Sequence, residues 1–229
     1  MGIEAIFLYG SWARGDQGER SDKDLLMVTD EEKGYHVTDG VNSMTYYPLS
    51  SLKSKALLGD LFIYHIVLEA KCVLDPNNVL SLLRKTFKPK ESYFAETRHG
   101  GDLGWYLVHH HLSLPLGLVA KRIAWSVRTV LIARSATRGR PVFSPENLVS
   151  LSDFEDTDIL IASRHGNFSN GALRALRSFL EFEKFPDPLG PEAGDVLWRR
   201  HFAETSNYVG IQLLKKSSEE SLSSPYGET

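Results

Sequence analysis

The chain of 229 residues is 42% hydrophobic and 24% charged, with a formal net charge of −3. This is the composition of a soluble globular protein with room for one large or two small cores, and it excludes a global electrostatic pull toward nucleic acid. The single cysteine, Cys72, cannot close an internal disulfide and reads as a small buried residue in a reducing compartment. The opening MGIEAIFLYGS lacks the basic region of a signal peptide, and no apolar run is long enough to span a bilayer. A cytoplasmic protein without a membrane partner is expected.

In chain order, residues 3–9 are an apolar run stopped by Gly10, which predicts a buried strand. Residues 11–14 have room for one helical turn with Ser11 as its N-cap. A second strand is expected at 24–29. Tyr35-His36-Val37 and the run 41–47 flank Asp39-Gly40, a hairpin signal. Leu52, Ala56 and Leu57, then Leu61, Tyr64, His65 and Leu68, recur at helical spacing, with Gly59-Asp60 as a break between two helices. Residues 71–74 form a short strand ended by Asp75-Pro76.

Beyond that the pattern is helical, with helices expected at 78–87, 91–112, 116–137, 145–151, 156–165, 170–185 and 192–216. Ser144 and Pro145 supply the N-cap and first position of the fourth of these. The expected organisation is α+β: a small mixed β-sheet head with flanking helices over 1–75, an all-helical domain over 76–217, and a polar, disordered tail over 218–229.

The chemistry concentrates in YGSWARGDQGERSDKDLLMV, residues 9–28. Asp22 and Asp24, two apart on a strand, point to one face and suit two oxygen ligands of a Mg²⁺ ion shared with substrate phosphates. Gly10-Ser11 stands where a strand turns into a helix, so a phosphate can approach the backbone and accept from its N–H groups and the serine hydroxyl. Together the two pieces make a grip for a metal-bound triphosphate, the apparatus of phosphoryl or nucleotidyl transfer.

Gly10-Ser11, Ala13-Arg14-Gly15 and Ser21-Asp22-x-Asp24-Leu25 together resemble the signature of the DNA polymerase β-type nucleotidyltransferase superfamily, closest to its minimal and kanamycin-type branches. The resemblance implies Asp22 and Asp24 as catalytic metal ligands, Gly10 and Ser11 as phosphate-binding residues and Arg14 beside them. It also implies Mg²⁺ or Mn²⁺ as cofactor and a nucleotide, ATP, as donor. The acceptor would be a hydroxyl of a small molecule, a protein or an RNA end, with two metal ions at work and pyrophosphate released.

The family also uses a third carboxylate on the next central strand. Here that strand is VNSMTYY, with Ser43 nearest the position, Thr45 its same-face neighbour, and Asp39 and Glu69 the nearest acids in sequence. The alternative is therefore a catalytically degenerate nucleotide-binding or partner-binding module of a toxin–antitoxin or defence assembly. A homo-oligomer or a partner protein is compatible with either.

Other residues invite chemistry less strongly. Arg20 lies in the loop of the motif. His109-His110-His111 cannot chelate one ion together, because consecutive helical residues diverge. His65 falls on an apolar stripe and reads as a satisfied core histidine. Lys121, Arg122, Arg128, Arg134, Arg138 and Arg140 make one helix basic, either as a wall for nucleotide or RNA or as an ordinary solvated face. Arg164-His165 and Arg199-Arg200-His201 lack the spacing of the arginine–histidine pairs of HEPN ribonucleases, so no nuclease is expected.

Overall fold

The computed structural model describes residues 2–19, 21–165 and 168–222. The first apolar run forms β1 (Ile3–Tyr9), and the polar stretch behind it opens with the short helix α1 (Gly10–Arg14). β2 (Lys23–Thr29), β3 (Tyr35–Asp39) and β4 (Asn42–Pro48) follow, then α2 (Leu49–Leu57), α3 (Leu61–Glu69), β5 (Lys71–Leu74) and α4 (Val79–Thr86). One mixed sheet results, in the order β3-β4-β2-β1-β5, with β2 and β4 parallel and the other neighbours antiparallel.

Strand alternation decides which face is covered. Ala5 and Phe7 of β1 pair with Val28 and Leu26 of β2, and all four are buried. They pack with Leu52 and Ala56 of α2, Ile63, Ile66 and Val67 of α3, and Val79, Leu80 and Leu83 of α4. Each large side chain so buried contributes about 1.5–3 kcal/mol before the cost of ordering it. Gly59, in the left-handed region at φ 65°, ends α2, and the Asp60 carboxylate accepts from the backbone of Phe62 and Ile63 to start α3. The Gly-Asp break thus acts as the sequence indicates.

Two compact units divide the chain at Glu91 and Ser92. Residue 75 does not end the first one, because the apolar stripe of α4 completes the core under the sheet. Cys72 differs from the sequence expectation: β5 is an edge strand exposed along its length, and the thiol is exposed with it.

The second unit is helical: α5 (Phe94–His110), α6 (Leu116–Thr137), α7 (Pro145–Leu151), α8 (Thr157–Ala162) with a 3-10 turn behind it, α9 (Asn170–Phe182), α10 (Asp195–Glu204) and α11 (Tyr208–Leu222). α5 lies against α6 so closely that a Cβ on Gly100 would stand 2.7 Å from the Ser126 carbonyl, and the Ser126 hydroxyl donates to the Gly100 carbonyl at 2.6 Å. Ser144 caps α7 with Pro145 at its first position.

The single helix expected over 192–216 is two. Ser206 takes a left-handed φ of 56°, and buried Asn207 donates to the His99 carbonyl and accepts from Gly210 N–H. The His99 ring bonds the Thr205 carbonyl at 2.7 Å. A polar clamp from α5 thus overrides the helical periodicity. The disordered tail expected from 218 also needs correction: α11 continues to Leu222, and 223–229 lie outside the described residues.

Candidate functional site

The site grows from the C-terminal end of β1 and the N-terminal end of β2. Tyr9 and Asp24 are cross-strand partners on the same face as Phe7 and Leu26. At this end of the sheet the core face changes from apolar to polar. In parallel register, Ser43 stands beside Asp24 and Thr45 beside Leu26. The next strand adds Thr38 beside Ser43 and His36 beside Thr45, the last pair 3.1 Å apart through the imidazole Nδ1 and the hydroxyl.

Gly10 is the hinge. Its φ is 71°, and a Cβ there would lie 2.6 Å from an Asp24 carboxylate oxygen. Only glycine combines that backbone angle with that proximity. The structure therefore brings Gly10 and Asp24 together, as the motif requires. α1 begins at Gly10 with Tyr9 as the capping residue, so Ser11 is not the N-cap: it sits inside the turn, its carbonyl accepting from Gly15 and Asp16 N–H.

Asp22 lies just before β2, exposed and in phase with half-buried Asp24. Two contacts hold this entry to the strand. The Trp12 indole N–H donates to the Ser21 carbonyl at 3.0 Å, and Lys23 N–H donates to the Val41 carbonyl at 2.7 Å. The Lys23 ammonium also lies 4.8 Å from the Trp12 ring centre. Trp12 went unnoticed in the sequence because it fills the variable place inside the motif. Tyr9 was missed too. Burial and the nearby Asp24 charge raise its phenol to about 12, against a hydrogen bond with Thr45 that lowers it.

Arg14 is held away from ordinary solvent by two acids: its Nη1 donates to Glu69 at 2.6 Å and its Nε to Asp16 at 2.9 Å. His65 shares the same Glu69 oxygen at 2.9 Å and meets the Tyr9 ring edge-on. The i,i+4 spacing of His65 and Glu69 was the available signal. Burial raises Glu69, but the hydrogen bonds from His65 and Arg14 outweigh it and hold the carboxyl below the ordinary range.

The candidates for a third acid resolve as follows. Asp39 shares its face with Asn42 and Met44, the face opposite Ser43 and Asp24. Glu69 is engaged by Arg14 and His65. Among the described residues no group of three His, Cys, Asp or Glu side chains is arranged to hold a metal ion.

Elsewhere, the three consecutive histidines diverge as helical geometry demands. His109 bonds Asp187 at 2.6 Å, His110 stacks on Tyr106, and His111 lies against Phe168. On the basic helix α6, Arg134 pairs with Glu183, Lys121 is exposed, and burial lowers the Arg122 guanidinium from its usual range. Arg20 lies outside the described residues. Among the described residues no helix is long and apolar enough to cross a membrane.

A mixed sheet with a Gly-Ser turn beside a strand-borne Asp, flanked by helices, defines a nucleotidyltransferase-like head. Residues 1–78 match the family described as Polymerase beta, Nucleotidyltransferase, and the head belongs to that superfamily. Among solved structures, a nucleotidyltransferase-like protein from Exiguobacterium sibiricum 255-15 matches at 14% identity and a TM-score of 0.33, covering 79% of this chain and 69% of that one. No curated protein matches.

Proposed function

We propose that the head transfers a nucleoside monophosphate from a nucleoside triphosphate, ATP by expectation, to a hydroxyl on a small molecule, a protein or an RNA end. The acceptor oxygen bonds the α-phosphorus, the α–β bridge breaks, and pyrophosphate leaves. The observation that carries this reading is the approach of the Asp24 carboxylate to Gly10, which joins the phosphate-binding turn and the acidic strand in one place.

The donor set fits a hard divalent ion. Asp22 and Asp24 supply carboxylate oxygens, and Mg²⁺ or Mn²⁺ commonly takes one or two such ligands together with substrate phosphates. Bound there, two ions would neutralise charge on the phosphates. The chain's own part is positioning. The Gly10-Ser11 turn admits the triphosphate to the backbone, and Trp12 holds the segment that carries Asp22. Tyr9 keeps its proton across the physiological range and so remains a donor beside Asp24.

A second reading has its own support. Ser43 beside Asp24 is no general base, Asp39 is on the far face, and Glu69 is ion-paired. A nucleotide-binding or partner-binding module of a toxin–antitoxin or defence system would need no third acid.

One experiment separates them: incubation with labelled nucleoside triphosphates and Mg²⁺, beside Asp22→Ala and Asp24→Ala, with calorimetry on the same proteins. Transfer by the wild type, with a drop of about 10²-fold or more in each variant, supports the enzyme. Metal-dependent binding without pyrophosphate release supports the module. Equal pyrophosphate release by all three proteins refutes the assignment of the two aspartates.

A further inference from the structure

The helical unit contains a cavity of about 760 Å³, walled by α5, α6, α10 and the segment after α9. That volume is in the range of sites that enclose a small organic molecule. The cavity belongs entirely to the second unit.

Its charge is unbalanced in a specific way. Each acid in the wall is already matched: Asp102, 5% exposed, accepts from the His201 imidazole at 2.7 Å with Arg98 at 3.5 Å, and Glu183 pairs with Arg134. Arg138 and Lys184 line the same cavity, and among the described residues neither has an acidic partner. Arg98 is half-exposed, and its Nε stands 3.5 Å from the Asp102 carboxylate, a loose ion pair that leaves the guanidinium with donors to spare. Three cationic side chains thus border one concave site with spare donors. An anion entering it gains charge-assisted hydrogen bonds and displaces none of the existing ion pairs.

The rest of the lining is not built for a bare ion. Phe94, 70% exposed, and Phe185 with Pro186 and Pro188 form an apolar and aromatic part of the wall, and the Arg134 guanidinium lies 5.9 Å from the Phe185 ring centre. A planar apolar group can lie there while the acid end reaches the cations.

We propose that this cavity is a binding site for a small aromatic molecule carrying a phosphate or carboxylate. Arg138, Lys184 and Arg98 take the acid group, and the Phe94–Phe185 side takes the ring. The His201–Asp102 pair ties α10 to α5 in the cavity wall. Its lining lies within the second unit, and its recognition draws on no residue of the head.

The test is calorimetry of the full chain with phenyl phosphate and with benzoate, beside phenol and inorganic phosphate. Either aromatic acid is expected to bind at least about tenfold more tightly than phenol or inorganic phosphate, because each of those supplies half of the recognition. The better of the two acids identifies the acid group. Arg138→Gln combined with Lys184→Gln should weaken that binding by about tenfold or more, with an unchanged circular dichroism spectrum. Asp22→Asn combined with Asp24→Asn should leave it intact. Binding of neither aromatic acid overturns the proposal. So does binding that survives the cavity variant, or binding lost only in the head variant.

Discussion

Each unit is held together internally by contacts of a different reach. In the head, the Gly-Ser turn and the acidic strand come from one stretch of about twenty, Tyr9 to Val28, and adjacent strands bring them together. In the helical unit the polar clamps join residues about a hundred apart: Asp102 with His201, His99 with Thr205, His99 with Asn207. Head variants should therefore disturb nucleotide chemistry first, and clamp or core variants in the helical unit should disturb stability first.

The sharpest test of that contrast is Phe202→Ala. Phe202 is fully buried among Tyr106, Trp198 and Gly210. Its removal should cost about 3–5 kcal/mol in urea unfolding. Three of the four tryptophans, Trp105, Trp125 and Trp198, lie in the helical unit, so fluorescence follows it. Unaltered nucleotide binding would uphold the contrast; equal loss of both would break it.

Gly10→Ala comes next. The left-handed φ and a Cβ 2.6 Å from the Asp24 carboxylate should together cost about 2–4 kcal/mol and displace that acid. Nucleotide affinity should fall by about tenfold or more, read by calorimetry.

Asn207→Ala should cost about 1–3 kcal/mol, because the His99 carbonyl and Gly210 N–H lose a buried partner. Thermal unfolding measures it.

The smallest effect is pH-dependent. Glu69 has a lowered folded pKa, so its contribution is present above the unfolded carboxyl value, about 4.3, and is lost as pH falls through the folded value. Glu69→Gln should lower stability by about 1–2 kcal/mol near neutrality. The gap to wild type should close in acid, and a gap that widened there would contradict the Arg14–Glu69–His65 cluster.

The same contrast explains what could be read in advance. β1, β2 and the Asp39-Gly40 hairpin declare themselves through local alternation and turn chemistry, as do the Gly59-Asp60 break and the Ser144 cap. The site motif was legible because its parts are close in sequence. The end of the head was not, since α4 shows only that it is amphipathic and not which core it joins. The division between α10 and α11 was hidden for the same reason: the clamp on Asn207 comes from His99, 108 residues away. The exposure of Cys72 depended on β5 being an edge strand, which strand pattern alone does not reveal.

That exposed thiol makes the protein easy to instrument. Cys72 is the only cysteine, and it lies on β5 opposite Phe7 in β1, the strand that ends at Gly10. A maleimide dye would therefore attach at one place, on the unit that carries Asp22 and Asp24, without an engineered cysteine. A nucleotide entering the head could be followed by its fluorescence, while the intrinsic tryptophan signal reports mainly on the other unit.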